Sequence, residues 1–419
     1  MKFHIEGYGC SLNKADTQAI EAMLEEQGFQ KTGLEKLGRK GIAIINACAV
    51  KETTEKRMLS RIEKLYAASK KQGFQLIVFG CLAKISSGKI SRISESIVRL
   101  PPALESLSEF LSIGKQEFSP SKPAASEEGI ISIIPICRGC LGNCSYCAVK
   151  HARGNLKSYS IQELKKAFEK EIKNGKKEVW LTAQDCGCYG FDLGTNLAEL
   201  LEELLKTKGN YRIRVGMANA QHLQKFLPEL LKQMKNERVF NFLHLPLQSG
   251  NDRILELMNR QYSVKEWLST VQNARKEIPE ITIATDIIVG FPTETEKEFE
   301  ETLKALEKAK VDVMNISRYG KRPFTTAAKM KEVSTQVKKQ RSIKATEFYN
   351  RLSLEENKRM LGKETIALID EIGKKGNFIA RSSNYKPIVL ENAKIGEFVK
   401  VRVEKAEKSF LRGKISKIK

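Results

Sequence analysis

Hydrophobic positions in the first 114 residues alternate between short β-branched runs and longer stretches with helical spacing. The pattern predicts strands at Lys2–Gly9, Gly41–Ala47 and Gln75–Gly80, and helices at Asn13–Gln27 and Lys51–Ser69. Strands that alternate with helices are typical of a parallel sheet, because parallel neighbours need a long crossover connection. We therefore predict an α/β domain over residues 1–114.

Residues 130–355 carry six more strand candidates, each followed by a helical pattern. These are Ile131–Arg138, Glu178–Ala183, Arg212–Ala218, Phe240–Pro246, Thr282–Phe291 and Asp312–Tyr319. Six βα repeats in one direction favour a partial (β/α)6 barrel over an open sheet. A basic amphipathic helix over Lys338–Lys358 is predicted to lead out of this domain.

The remaining two segments differ from these domains in composition and in hydrophobic pattern. Residues 115–129, KQEFSPSKPAASEEG, are rich in Ser, Pro, Ala and charge and have no periodic apolar face, which predicts a linker. Residues 356–419 carry short alternating runs separated by glycines, at Ala367–Ile369, Ile388–Leu390, Phe398–Val403 and Leu411–Ile415. That pattern predicts a small antiparallel β-barrel.

The charge of the chain indicates a polyanionic partner. Lys and Arg number 72 against 50 Asp and Glu, a formal net charge of +22, and nucleic acid is the leading candidate. From Met360 onward there are 14 basic and 7 acidic residues, so we expect the small barrel to bind RNA. No apolar run approaches the ~18 residues of a membrane span, and the first residues lack the apolar core of a signal peptide. We expect a cytoplasmic protein with no membrane partner.

Nine cysteines in such a chain argue against a disulfide framework and for metal or redox chemistry. Cys140, Cys144 and Cys147, here called the barrel trio, follow the first predicted barrel strand with C-x3-C-x2-C spacing. Three ligands in one tight loop suit a 4Fe-4S cluster whose fourth iron is open to a reactant. Cys137 extends the run to four thiols, which leaves a closed zinc or ferredoxin-like site as the alternative. We favour three ligands, because Cys137 falls inside a predicted strand.

A second group is dispersed along the N-terminal domain. Cys10, Cys48 and Cys81, here called the N-terminal trio, each follow one predicted strand. Because the carboxyl ends of parallel strands share one edge of a sheet, the three thiols are expected to meet there and to hold a second open cluster. Three unrelated buried cysteines are the alternative.

These groups lie in stretches that together resemble one family. The stretches are GYGCSLNKAD (Gly7–Asp16), INACAVKETTEKR (Ile45–Arg57), FGCLAK (Phe79–Lys84), GCLGNCSYCAVKHARG (Gly139–Gly154), HLPLQSGNDRILELMNR (His244–Arg260) and TDIIVGFPTET (Thr285–Thr295). In this order they closely resemble the radical S-adenosylmethionine methylthiotransferases, and GCLGNCSYC with the RYGKRP stretch resembles the archaeal and eukaryotic tRNA branch.

The resemblance implies a layout and an activity. The layout is an N-terminal cluster domain, a radical-SAM barrel and a TRAM barrel that binds tRNA. The activity is conversion of N6-threonylcarbamoyladenosine at position 37 of tRNA to its 2-methylthio derivative. The resemblance also implies two 4Fe-4S clusters, one on each trio. It further implies S-adenosylmethionine, an electron donor and a sulfur source. Isopentenyladenosine in tRNA or a ribosomal-protein aspartate are alternative acceptors, and a non-catalytic iron–sulfur redox sensor that binds RNA is an alternative of another class.

Polar residues at the ends of the barrel strands are candidate cofactor contacts, since (β/α) barrels bind ligands at that face. They are Gln184, Asp185, Asn219, Gln248, Ser249, Asp286 and Gly290, with Tyr146 beside the barrel trio and Arg214 and Arg318 as anion-binding candidates. No catalytic side chain is predicted beyond the cluster ligands. His151, His222 and His244 are left out, because radical abstraction needs no general base at its first step.

Three features depart from the family pattern. Arg138 stands where the wider family often has Gln, and RPFTTA at residues 322–327 replaces the usual RPGTPA, which puts Phe324 in a glycine position. Cys186 and Cys188 match no family ligand. We expect them to be exposed, spare loop thiols rather than groups that approach the clusters.

Overall fold

The computed structural model describes residues 1–48, 52–120, 129–373 and 376–416. The N-terminal elements are β1 (Lys2–Tyr8), α1 (Ser11–Glu26), β2 (Gln30–Lys31), β3 (Ile42–Ala47), α2 (Glu52–Gln72), β4 (Gln75–Phe79), α3 (Cys81–Ile85), α4 (Ser87–Ser91), β5 (Val98–Leu100) and α5 (Leu104–Phe110). The five strands form a parallel sheet in the order β2-β1-β3-β4-β5. Every residue of β3 is buried, as expected of a central parallel strand covered on both faces.

The predicted N-terminal strands and helices are confirmed to within a few residues, although Lys51, the predicted start of α2, lies outside the described residues. The edge strands β2 and β5 and the helices α3, α4 and α5 were not predicted. Strands of two or three residues and helices of five to seven are too short to show a period.

The central domain contains the six predicted strands in order. Its elements are β6 (Ile131–Pro135), β7 (Cys137–Arg138), α6 (Val149–Arg153), β8 (Lys157–Ser158), α7 (Ile161–Lys173), β9 (Glu178–Thr182), α8 (Leu197–Leu205), β10 (Arg212–Val215), α9 (Ala220–Leu223), α10 (Leu227–Met234), β11 (Phe242–His244), α11 (Asp252–Leu257), α12 (Val264–Glu277), β12 (Thr282–Val289), α13 (Glu296–Ala309), β13 (Val313–Arg318) and α14 (Thr335–Lys358). The first predicted strand is interrupted after Pro135, and its last two residues form β7, which pairs antiparallel with β8.

The strands β6, β9 and β10 are parallel, as are β11, β12 and β13. A parallel bridge between Ile213 and Val239 joins the two sets, and the Phe240 amide donates to the Ile213 carbonyl at 2.9 Å. The result is the predicted partial (β/α)6 barrel. Three of its outer helices begin with capping boxes, at Ser160, Ser263 and Thr295, which satisfy amides that have no partner within the first helical turn.

Residues after α14 form a closed barrel of five strands, β14 (Glu364–Ile372), β15 (Phe378–Ser382), β16 (Pro387–Leu390), β17 (Phe398–Ala406) and β18 (Leu411–Ile415), in the order β14-β15-β16-β18-β17. The closed barrel is as predicted, but β15 was missed and the β16–β18 pair is parallel. The predicted boundary at residue 356 falls within the last turn of α14.

Both small domains dock on the central barrel, at opposite ends. Tyr385 of the C-terminal barrel packs against Phe240 and Phe242 near the start of β11, with ring centroids 4.7 and 5.0 Å away. At the other end, the hydroxyls of Ser11 and Thr182 lie 2.6 Å apart, which places the start of α1 at the carboxyl end of β9. The C-terminal barrel thus covers the amino ends of the strands. None of the described helices combines the length and the apolar character needed to cross a membrane.

Candidate functional site

The N-terminal trio lies at the carboxyl edge of the parallel sheet. Cys10 follows β1 at the start of α1, Cys48 follows β3, and Cys81 is the first residue of α3 after β4. The Cys48 amide donates to the Tyr8 carbonyl at 3.0 Å. A β-carbon at Gly9 would lie only 2.9 Å from Cβ of Cys48, so glycine is needed for the ends of β1 and β3 to come this close. Cys10 is exposed, whereas Cys48 and Cys81 are buried.

A buried arginine contacts one sulfur of this trio. Nε of Arg153 donates to Sγ of Cys81 at 3.2 Å, and its Nη2 donates to Asp16 at 2.7 Å. Burial raises the pKa of the Cys81 thiol, the Arg153 guanidinium opposes that change, and the nearby Asp16 and Cys10 add to it.

Asp16 connects the N-terminal domain to the central barrel. Its carboxylate is fully buried, and it accepts hydrogen bonds from Arg153 and, at 2.6 Å, from Nη2 of Arg138 on β7. Arg138 also lies over the ring of Phe118, 3.4 Å from its centroid. Arg153 is the last residue of α6, which begins two residues after Cys147. The Arg153 side chain therefore connects the N-terminal trio to the loop that carries the barrel trio.

We expect Arg153→Met to destabilise the protein, because it removes one of the two cations that compensate the buried Asp16 carboxylate. Breaking a buried pair costs roughly 3–5 kcal/mol, and Arg138 remains, so a loss of about 3 kcal/mol is expected. Thermal melting of cluster-free protein measures the change. Arg351→Met removes an exposed ion pair with Glu307 and is the matched control, with an expected loss below about 1 kcal/mol. Equal losses in the two variants would contradict the role of Asp16.

The barrel trio occupies the loop between β7 and α6. The Gly142 amide donates to Sγ of Cys140 at 3.2 Å. A β-carbon at Gly142 would lie 3.3 Å from Sγ of Cys140 and 3.8 Å from Sγ of Cys144, so both sulfurs lie beside one glycine. Burial, followed by the charges of Cys144 and Cys140 and opposed by backbone hydrogen bonds, raises the pKa of Cys147 to about 11. Nη1 of Arg260 donates to Sγ of Cys144 at 3.6 Å.

The three remaining cysteines are buried in the barrel. Cys137 is fully buried among core residues, in keeping with a strand thiol that packs as a hydrophobe. The prediction that Cys186 and Cys188 are exposed is wrong, since both are fully buried in a 3₁₀ turn after β9. The Cys188 thiol donates to the Asp185 carbonyl at 3.2 Å, and it lies close enough to Cys140 to raise the pKa of that thiol. It therefore approaches the barrel trio, because the turn folds inward instead of forming a surface loop.

Two of the predicted cofactor residues meet at one point. Asp185 is buried, and its carboxylate accepts from the amides of Gly187 and Asn219 at 2.9 and 3.0 Å. Nδ1 of His222 lies 2.8 Å from the other carboxylate oxygen. Asp185, Cys188 and His222 bring their ligand atoms within 4.8 Å of one another. Sequence reasoning omitted His222, and only its position in α9, seven residues after the end of β10, pointed to this edge.

The other predicted residues are distributed over the same face and below it. The Asp286 carboxylate lies 2.8 Å from Nε2 of His244 and accepts a hydrogen bond from Nδ2 of Asn315 at 2.9 Å. The backbone N–H of Gln248 donates to the backbone carbonyl of Asp286 at 2.8 Å. Tyr146 packs edge-on against Phe291, with centroids 6.4 Å apart. The positions of the remaining residues are as follows: Gln184 directly precedes Asp185, Ser249 is fully buried beside Thr302, Gly290 donates to Glu294, and Arg318 is exposed at the end of β13.

Arg214 lies apart from both trios. Its guanidinium is within 5.1 to 5.3 Å of the ring centroids of Trp180, Phe242 and Tyr385. Tyr385 belongs to the C-terminal barrel, so Arg214 contributes to the contact between that barrel and the amino ends of the strands. The structure does not bring it to the carboxyl edge where the other candidates lie.

Comparison with known proteins defines the class. Residues 134–306 match the radical SAM superfamily, residues 2–99 match the uncharacterized protein family UPF0004, and residues 358–416 match the TRAM domain. Among solved structures, the radical S-adenosylmethionine methyltransferase TsrM from Kitasatospora setae aligns with a TM-score of 0.56 at 12% identity, over 78% of this chain and 76% of that one. The chain is a radical SAM protein with a C-terminal TRAM barrel.

Full-length relatives narrow the class to one family. The probable threonylcarbamoyladenosine tRNA methylthiotransferase of Pyrococcus horikoshii is 40% identical over 99% of both chains. That of Methanocaldococcus jannaschii is 39% identical over 99% of this chain and 97% of its own. The human threonylcarbamoyladenosine tRNA methylthiotransferase is 33% identical over 98% of this chain and 73% of its own. The chain belongs to the threonylcarbamoyladenosine tRNA methylthiotransferase family, which confirms the resemblance found in the sequence.

Proposed function

We propose that this protein installs a 2-methylthio group on N6-threonylcarbamoyladenosine at position 37 of tRNA. The observation that carries the proposal is the end-to-end similarity to relatives of that name. The enzyme would act in the cytoplasm and would need an electron donor and a sulfur source. The proposed domains are the N-terminal cluster domain (1–114), a linker (115–129), the radical SAM core (130–355) and the TRAM domain (356–419).

Membership of the radical SAM superfamily implies S-adenosylmethionine and a 4Fe-4S cluster, and the barrel trio fits that cluster. Its three cysteines are free of disulfides, and thiolates are the ligands that iron–sulfur clusters require. The Cys140 and Cys144 sulfurs lie beside Gly142, which has no side chain to obstruct them. We propose a second 4Fe-4S cluster on the N-terminal trio, because Cys10, Cys48 and Cys81 offer the same donor set at the facing edge.

The need for such cofactors follows from the substrate. The C2–H bond of adenine is neither acidic nor open to ordinary nucleophilic displacement, and radical chemistry supplied by the bound cofactors overcomes this. The chain contributes positive charge at the sulfurs. Arg153 and Arg260 each place a buried guanidinium on one cysteine of a trio. Hydrogen bonds and charges of this kind favour the more negative, reduced form of a cluster and so raise its potential.

Contacts to S-adenosylmethionine are proposed from the carboxyl edge of the barrel. Asp185 and Asn219 lie together there, and Gln248 and Asp286 form a second pair. Tyr146, Gln184 and Arg318 complete the proposed set. Ser249 is buried beside Thr302, and Arg214 lies at the contact with the C-terminal barrel, so the proposal depends on the others.

A basic surface on the TRAM barrel supports binding of a polyanion. Arg402 of β17 stands directly opposite Lys414 of β18, and Lys405 stands opposite Arg412. All four side chains are exposed. Like charges directly across a strand pair destabilise a sheet, and here Glu407 and Glu404 pair with Lys405 and Lys414. Phosphate groups of RNA would supply further anionic partners for the same four side chains.

We expect the double variant Lys405→Gln/Lys414→Gln to bind tRNA more weakly and with less dependence on salt. Each lost phosphate contact lowers the slope of log affinity against log salt by roughly 0.7–0.9, so the slope should fall by about 1.5. Filter binding across a salt series measures it. Lys265→Gln/Lys276→Gln removes two exposed lysines of α12 and should leave the slope unchanged. A slope that stays at the wild-type value in both variants would place the RNA elsewhere.

The function itself is tested with anaerobically reconstituted protein, S-adenosylmethionine, a reductant and tRNA that carries threonylcarbamoyladenosine. Mass spectrometry of the nucleosides should detect the 2-methylthio derivative. Tested in parallel, tRNA with isopentenyladenosine should remain unmodified. Modification of that substrate in place of the first, or 5′-deoxyadenosine production without any modified acceptor, would refute the proposed substrate. No S-adenosylmethionine cleavage with the iron intact would support a redox sensor.

A further inference from the structure

Phe324 is unusual in its exposure and its backbone. Its side chain is 67% exposed, and its φ is +66°. A positive φ is rare for a bulky residue and costs of order 1 kcal/mol, whereas glycine adopts it freely. A large apolar side chain that is mostly exposed on a strained backbone contributes little buried apolar surface to the fold. Such an outlier is a reason to look for a ligand.

The ring of Phe324 does not stand alone. It stacks on the imidazole of His151, with centroids 4.0 Å apart and planes inclined by 16°. His151 is exposed on α6, four residues after Cys147. The two stacked rings are here called the Phe324–His151 platform, and the exposure of Phe324 leaves the ring face that points away from His151 to the solvent.

The platform lies beside the barrel trio, on a segment that also contacts the N-terminal domain. Arg322 pairs with the buried Glu55 of α2 at 2.8 Å, in the N-terminal domain. Just beyond Phe324, the Ala327 amide donates to the carbonyl of Ser145 at 2.9 Å, and Ser145 lies between Cys144 and Cys147. The short segment from residue 322 to 327 is therefore bonded both to the N-terminal domain and to the loop of the barrel trio. Phe324 projects from this segment into solvent.

We propose that the Phe324–His151 platform binds an unpaired RNA base next to the adenosine that is modified. The proposal rests on the proposed function. An aromatic face of this kind stacks on any nucleobase, since every base has a π-face. The site must take an adenosine out of a single-stranded loop, and a flanking base that loses its neighbour needs a new stacking partner. The net charge of +22 favours RNA over an apolar peptide as the occupant.

The test measures binding of an anticodon stem-loop RNA that carries 2-aminopurine on either side of the modified adenosine. Wild-type holoenzyme should quench the fluorescence at one of the two positions. Phe324→Gly and Phe324→Leu should lose the quenching and bind roughly 5- to 150-fold more weakly, the range measured for one stacked base. Phe324→Trp should retain both. Phe110→Ala, which removes another exposed phenylalanine, is the matched control.

Stability separates this role from a structural one. Phe324→Gly relieves the positive φ, so its melting temperature should equal or exceed that of the wild type while its affinity falls. Wild-type affinity and quenching in Phe324→Gly, or equal affinity of the Leu and Trp variants, would overturn the platform even if the methylthio product still forms. Quenching by the wild type without any methylthio product would instead refute the proposed function and leave the platform standing.

Discussion

Cys48→Ala is expected to eliminate methylthiolated tRNA while cleavage of S-adenosylmethionine continues. Cys48 is buried at the end of the central strand β3, and its amide is bonded to the end of β1. Loss of its thiol removes one of three donors for the proposed second cluster, yet leaves the barrel trio intact. Iron analysis should report about four atoms per chain fewer than the wild type, and nucleoside mass spectrometry should detect no product.

The matched control for this variant is Cys137→Ala, which removes a buried cysteine outside both trios. It should retain iron and product. Loss of the barrel cluster in Cys137→Ala would favour the four-thiol site instead. Methylthiolated tRNA formed by Cys48→Ala at the wild-type level would show that the N-terminal trio has no part in sulfur transfer.

Cys144→Ala is expected to abolish both the cleavage of S-adenosylmethionine and the modification of tRNA. Cys144 is the member of the barrel trio that Arg260 contacts, and without its sulfur the loop offers two ligands and an uncompensated buried guanidinium. Product analysis for 5′-deoxyadenosine measures the loss, which should reach the background of protein without iron. Electron paramagnetic resonance of the reduced variant should still detect the cluster of the N-terminal trio.

Cys186→Ala serves as the control for Cys144→Ala, because it removes a thiol outside both trios that is buried in the barrel core and faces the Leu181 carbonyl at 3.7 Å. It should cleave S-adenosylmethionine at close to the wild-type rate. Cleavage by Cys144→Ala with a full iron content would mean that another thiol replaces it. Cys188, which lies close enough to Cys140 to raise the pKa of that thiol, is the first residue to test.

The sequence predicted the placement of the cysteines well, for a simple reason. Each thiol of the N-terminal trio directly follows a hydrophobic run, and such runs become buried parallel strands whose carboxyl ends share an edge. The proximity of the barrel trio could be predicted without any strand assignment, since three cysteines within eight residues cannot be far apart. Local pattern and chain length were sufficient in both cases.

The partners of these cysteines could not be predicted in the same way. Arg153 and Asp16 are 137 residues apart, and Arg260 and Cys144 are 116 apart. Both arginines lie inside motifs that carry the family resemblance, yet hydrophobic periodicity says nothing about which polar side chains meet. Cys186 and Cys188 were misjudged for a related reason: a run of small and polar residues resembles an exposed loop, whereas here the turn folds inward against the barrel core.

The sequence by itself determined the kinds of domain, the order of the strands along the chain and the two groups of thiols, because these depend on local hydrophobic period and spacing. Only the tertiary structure decided that Arg153 bridges the two sites, that Arg214 lies under the TRAM barrel and that Phe324 stacks on His151 beside the barrel trio. Those facts depend on how three separately folded domains dock, and docking is set by side-chain contacts between residues distant in sequence.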